Sequence, residues 1–134
     1  MTGTRTIAAL AYPGFQMLDV AGPLETFNMA ARQLIDDAER GDRAYRVIIV
    51  GATRDPVVSM SGVAVTPHRS VDDPLEDIDT LLVPGALTGD TRFFEDPVNV
   101  AYVQRARGTV RRLCSVCSGA LLLAASGALD GRRA

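Results

Sequence analysis

Two cysteines, one histidine and a handful of acids carry most of the reactive chemistry in this 134-residue chain. Cys117 stands in Val116-Cys117-Ser118-Gly119, where one apolar stretch ends and small residues open the next. A strand, a sharp turn and a helix in that order lift a nucleophile above a sheet, because the strained turn pushes its side chain outward. The helix that follows directs unpaired amide N–H groups back at the sulfur, a setting that suits a nucleophile. Cys114 falls inside the predicted strand and reads as a packed thiol. The Cys114-x-x-Cys117 spacing does not make a zinc site, since zinc takes four ligands and the chain offers two thiols and His68. His68 follows Pro67 in a polar turn and reads as a surface residue. Two cysteines also give no disulfide framework of the secreted kind.

A reactive thiol needs a partner, and Ser118 rather than a histidine follows Cys117. The acids near predicted strand ends are Asp19, in the turn before the first helix, and Glu25, in that helix's first turn. An acid in a first turn also complements the helix dipole without any catalytic role. The functional alternative is a carboxyl group hydrogen-bonded to the Cys117 sulfur, to a water or to a substrate. After Val83-Pro84, Gly85 can turn its backbone N–H toward the same point, as an oxyanion donor beside the N–H of Ser118. All 14 basic residues are arginine, which excludes a Schiff-base lysine, a P-loop lysine and a Ser-Lys pair.

These residues require a scaffold that gathers strand ends. Residues 7–12 form a continuous apolar run closed by Pro13-Gly14, the pattern of a strand covered on both faces. Gly22-Pro23 is predicted to open a helix with Leu24, Phe27, Ala31, Leu34 and Ala38 on one face and Gly41 as its cap. Residues 45–50 form the next strand, and residues 56–60 and 63–66 a short hairpin about Ser61-Gly62. Residues 78–83 form a third buried strand that ends at Pro84-Gly85. Asp96-Pro97 caps and starts a helix running to about Arg107. Residues 113–116 form a further strand, and residues 118–126 a wholly apolar and therefore buried helix. Strands alternating with helices predict an α/β fold with a mostly parallel sheet. Chemistry in such sheets gathers at the carboxyl ends of the strands, where residues 13–22, 84–89 and 117–119 converge.

Composition narrows the class. With 47% hydrophobic and 22% charged residues the chain is globular, and its length suits one domain. A formal net charge of −2 supplies no broad cationic face, which disfavours nucleic-acid binding by this chain alone. No stretch approaches the ~18 consecutive apolar residues of a membrane span, and residues 7–12 are too short for a signal segment. The expectation is a cytoplasmic protein without membrane contact.

The segments Leu18-Asp19-Val20-Ala21-Gly22-Pro23-Leu24-Glu25, Val83-Pro84-Gly85, Ser115-Val116-Cys117-Ser118-Gly119-Ala120 and Leu129-Asp130-Gly131-Arg132-Arg133-Ala134 together resemble the ThiJ/PfpI superfamily of class I glutamine amidotransferase-like proteins. Within it they resemble most closely the N-terminal domain of AraC-type transcriptional regulators and, nearly as well, isocyanide hydratases. The resemblance implies a flavodoxin-like three-layer sandwich with Cys117 at a nucleophile elbow. It sets Glu25 at the family's cysteine-contacting acid and Asp19 at the acid of the hydratases, with Ser118 as the assisting polar residue. Ser115 and Ala86 stand where many members carry glycine. The Cys-His pair of the family's peptidases is absent, which disfavours protease activity.

The resemblance implies first a small-molecule-sensing domain of an AraC-type regulator. The alternatives are a hydratase using Cys117 as nucleophile and Asp19 as acid-base group, and a cysteine-based stress or repair protein. It implies no cofactor and no metal; the expected partners are an unidentified small molecule and a second copy in a homodimer. Residues 1–134 are expected to be one such domain, truncated at its C-terminus, reaching DNA only through a missing C-terminal module. A truncated sandwich exposes a sheet edge and the apolar helix around residues 120–125. Self-association at high concentration is therefore expected in analytical sedimentation; a clean monomer there refutes it.

Overall fold

A computed structural model describes residues 3–36 and 44–133 of the chain. The apolar runs become strands: β1 (Arg5–Leu10), β2 (Tyr45–Gly51) and β6 (Ile78–Val83), with β7 (Arg112–Ser115) following. Between β2 and β6 lie β3 (Val57–Val58), β4 (Ala64–Val65) and β5 (Arg69–Ser70). Five strands form one sheet in the order β5-β2-β1-β6-β7, and every pairing in it is parallel. Burial explains the unbroken apolar runs. Ile7, Ala8, Ala9 and Leu10 are all at most 1% exposed, so neither face of β1 needs a polar side chain.

The helices are α1 (Met17–Asp36), α2 (Arg92–Glu95), α3 (Pro97–Arg107) and α4 (Ala120–Ala125). From β1 the chain crosses by α1 to β2 on one side, and from β6 by α2 and α3 to β7 on the other. Right-handed crossovers running in opposite directions put α1 and α3 on opposite faces of the sheet. The fold is thus the α/β, flavodoxin-like sandwich expected. Strand order reverses between β1 and β6, which opens a crevice where their carboxyl ends part. The core beneath it includes Ile7, Leu10, Phe15, Val50, Leu81, Val83, Tyr102, Val103 and Leu122. Full burial of such a side chain stabilises by about 1.5–3 kcal/mol each.

Several local expectations change. Helix α1 begins at Met17, not at Pro23, and carries the proline in its interior. Pro23 has no N–H for the Asp19 carbonyl, but Gly22 before it lacks the Cβ that usually forbids a helical residue ahead of proline. The Thr26 hydroxyl donates to the Gly22 carbonyl at 2.9 Å, one turn further on, while the Asp19 carbonyl goes without its helical partner. Leu34, expected on the buried face, is exposed, and Ala38 and the Gly41 cap lie outside the described residues. The apolar helix near the C-terminus starts as a 3-10 turn, Cys117–Gly119, and continues as α4. It is not wholly buried: Leu122 and Leu123 enter the core while Leu121 is half exposed. Strand β5 and helix α2 were not expected at all. By contrast β6 and α3 match their expected limits, with the Asp96 carboxylate accepting from the Val98 N–H at 2.8 Å as the cap requires.

At the amino end of the sheet, Arg69 grips Asp77 with two N–H groups at 2.7 Å each, and Arg46 adds a third contact at 3.0 Å. The Arg69 hydrogen bonds hold the Asp77 carboxyl down at about 2, below the ordinary aspartate value. A folded-state value below the unfolded one contributes stability above about pH 4 that is lost as pH falls toward 2. Asp77 is half exposed, so solvent screens the effect. The Asp77→Asn protein should be somewhat less stable than the parent at pH 7, with the difference closing between about pH 4 and 2. Urea midpoints at pH 7, 4 and 2.5 measure it; a difference independent of pH contradicts the assignment.

Candidate functional site

Strand β6 ends at Val83, still paired with Ser115 of β7, and the three residues after it, Pro84-Gly85-Ala86, stay buried beyond the ladder. Buried peptide groups need hydrogen bonds, and here they come from several parts of the chain. The Val83 carbonyl accepts from the Val116 N–H at 3.0 Å, and the Pro84 carbonyl from the Tyr12 hydroxyl. The Gly85 N–H donates to Asp19 Oδ2 at 3.0 Å, and its carbonyl accepts from the Gln16 N–H at 2.8 Å. The Ala86 N–H donates to Ser118 Oγ at 3.1 Å, and the same hydroxyl donates back to the Ala86 carbonyl at 3.3 Å. Phe15 bridges to Ala86 from the loop after β1.

Cys117 sits directly after β7 and Val116, exposed, in a left-handed backbone conformation with φ of 54°. A non-glycine residue there carries a backbone cost of roughly 1–2 kcal/mol. Gly119 shows what enforces this turn. A Cβ on Gly119 would land on the Val83 carbonyl oxygen and lie 2.9 Å from that of Pro84, so only glycine lets the turn press against the end of β6. Gly85 is equally constrained, since a Cβ on it would meet the Ser118 nitrogen at 2.8 Å and Asp19 Oδ2 at 3.3 Å. Asp19, Gly85 and Ser118 therefore meet at one point, with Cys117 the next residue along the chain.

The expected site residues divide. Asp19 lies in the first turn of α1 and reaches Gly85; its Oδ1 has no hydrogen-bond partner among the described residues. Glu25 lies in the third turn of α1, not the first. Six residues of helix turn it about 120° away from Asp19. It is exposed, and its carboxylate has no hydrogen bond or ion pair among the described residues. The Gly85 N–H, expected to be offered to a ligand, is taken by Asp19. The Ser118 N–H has no acceptor among the described residues, whereas its hydroxyl is engaged by Ala86. Cys114 is partly buried in β7, and His68 is exposed with its Nδ1 accepting from the Ile49 N–H at 3.0 Å.

Two neighbours escaped the sequence reading. Tyr12 is 3% exposed, stacks on Phe93 at 5.1 Å between ring centroids, and has its phenol pushed up by burial. The charges of Asp19, Asp90 and Cys117 push it further in the same direction, so it stays a neutral donor. Asp90 follows Gly89 in the loop after β6 and is gripped by Arg92 Nε and Nη2 at 3.0 and 2.7 Å. These bonds hold its carboxyl at about 2, hence ionised. No sequence signal marked Tyr12, which closes an apolar run like any core aromatic. Asp90 sits one residue past 84–89, one of the three strand-end segments.

Chemically the arrangement offers an exposed sulfur, the unpaired Ser118 N–H and a carboxylate oxygen of Asp19, a set suited to addition at an electrophilic carbon. Among the described residues no three His, Cys, Asp or Glu side chains come together as a metal site requires.

The DJ-1/PfpI family profile matches residues 5–134. An uncharacterized protein from the cpoL 5′ region of Streptomyces lividans is 35% identical, over 98% of this chain and 86% of its own length. The isonitrile hydratase of Pseudomonas putida is 30% identical, over 96% of this chain and 50% of its own. A ThiJ/PfpI family protein from Pseudomonas syringae superposes with a TM-score of 0.80 at 29% identity, over 96% of this chain and 48% of its own. An AraC family transcriptional regulator from Pseudomonas putida superposes at 0.70 with 21% identity, over 96% and 64%, a likeness of fold. The chain spans about half the length of the hydratase and of the Pseudomonas syringae protein.

Substitutions at the turn should separate packing from strain. Gly119→Ala should cost roughly 3 kcal/mol, since backbone oxygens cannot move aside for the methyl group. Cys117→Gly should be about 1 kcal/mol more stable than Cys117→Ala, because only the former relieves the positive φ. Thermal and urea unfolding measure both, and equal stability of the two Cys117 variants removes the strain.

Proposed function

The chain belongs to the DJ-1/PfpI family, and from that premise we propose that Cys117 is the nucleophile of a site that hydrates small isonitriles. The observation that carries the reading is the meeting of Asp19, Gly85 and Ser118 beside an exposed Cys117. The 30% identity to an isonitrile hydratase supports the substrate class. In this reading the Cys117 thiolate attacks the terminal carbon, forming a C–S bond, and Asp19 supplies the proton that this carbon takes up. The product is a thioimidate. Water then adds to the same carbon, giving one proton to nitrogen and returning one to Asp19. The C–S bond breaks and the thiolate leaves, so that an isonitrile and one water become one N-substituted formamide. The free Ser118 N–H is a donor for oxygen in the tetrahedral adduct. Gly85, its own N–H engaged, orients Asp19 instead.

A second reading has the same site bind a small molecule without turnover, as the sensing part of a transcriptional regulator. The likeness of fold to the AraC family regulator favours it. Formamide production from a small alkyl isonitrile by the purified protein discriminates the two. The parent chain should turn over, Cys117→Ala should not, Asp19→Asn should lose at least about tenfold, and Glu25→Gln should retain full activity. Absence of turnover in the parent chain rejects the hydratase reading and leaves the sensor.

A further inference from the structure

We propose that Tyr12 is a positioning residue of the Cys117 site, clamping the Pro84-Gly85 peptide so that its N–H holds the Asp19 carboxylate in place. The proposal rests on the reading of Asp19 as the proton carrier. Pro84 C=O and Gly85 N–H are the two ends of one planar peptide group, which can only turn as a unit. Its oxygen is held by the Tyr12 hydroxyl and its nitrogen by Asp19 Oδ2, at 3.0 Å. Neither end has slack. Pro84 is fully buried, so no water replaces the phenol, and the Tyr12 ring is itself fixed by stacking on Phe93 with the planes 9° apart.

The neighbouring peptides are pinned as well, by Val116 at Val83, Gln16 at the Gly85 carbonyl and Ser118 at Ala86. Tyr12 is nevertheless the side chain whose removal frees the peptide that faces Asp19. Its phenol, pushed up by burial and by nearby negative charge, donates at every working pH. The hydroxyl points at a backbone carbonyl, so Tyr12 acts on the site through the peptide.

The test is Tyr12→Phe in the full chain, which keeps the ring on Phe93 and removes only the donor. With a small alkyl isonitrile as probe, kcat should fall about tenfold while KM stays within twofold. In an Asp19→Asn background the same change should alter kcat less than twofold, because the group being positioned has lost its function. Losses that multiply across the two backgrounds, or a change confined to KM, overturn the proposal. A second readout does not depend on turnover. The Gly85 amide proton should shift upfield and exchange at least tenfold faster in both Tyr12→Phe and Asp19→Asn. If Tyr12→Phe does not fold, incorporation of 3-fluorotyrosine should still shift that amide. An unmoved Gly85 amide overturns the clamp; a parent chain inert toward isonitriles, with the amide moved, overturns only the hydratase reading.

Discussion

Everything in the site depends on how four peptide groups past the end of a strand are satisfied. A parallel strand loses its neighbours' hydrogen bonds where the chain leaves the sheet, yet Val83-Pro84-Gly85-Ala86 stays buried there. Leaving such groups unpaired costs about 1–3 kcal/mol each. The chain meets this need from three places: Tyr12 and Gln16 in the loop after β1, Asp19 on α1, and the turn after β7. The same bonds that satisfy the backbone therefore bring the reactive side chains together. Stability and site geometry are one set of interactions.

This explains why glycine recurs at the point of contact. Gly85 lets Ser118 and Asp19 approach one backbone atom, and Gly119 lets the turn after β7 close on the carbonyl oxygens of β6. With those approaches set, Cys117 has no comfortable backbone conformation left and takes a positive φ. The strain at the thiol is thus a consequence of close packing two residues away. It also keeps the sulfur at the surface of the crevice rather than in the core.

Much of the fold was legible because burial writes itself as apolar runs: residues 78–83 and the Asp96-Pro97 helix start emerged with their limits. Gly22-Pro23 misled because proline at a helix start is a strong local signal, whereas its place inside α1 is eased by Gly22, which has no Cβ to clash with the ring. That shift of six residues also misassigned the acids, moving Glu25 into a first turn it does not occupy. The two-residue β5 left no periodicity to detect, being held by pairing with β2 alone. Cys117, Ser118, Gly85 and Asp19 could be singled out from turn chemistry and family resemblance. That Asp19 takes the Gly85 N–H, and that Tyr12 holds the other end of that peptide, are contacts between residues more than sixty positions apart. No local pattern encodes them.

The charges around the crevice also bear on what can enter it. Asp19 and Asp90 both lie close enough to Tyr12 to raise its phenol, and Cys117 adds to them. Arg92 offsets Asp90, but its side chain is 85% exposed and its guanidinium already committed to that carboxylate. No arginine pairs with Asp19 among the described residues. An anionic ligand would meet this field, and desolvating it there would be unfavourable. A neutral molecule escapes that penalty, and one whose carbon accepts an electron pair answers the exposed Cys117 sulfur. An isonitrile has both properties. Its carbon takes up a proton as the sulfur adds, so a carboxyl group beside the thiol suits that step better than a fixed positive charge.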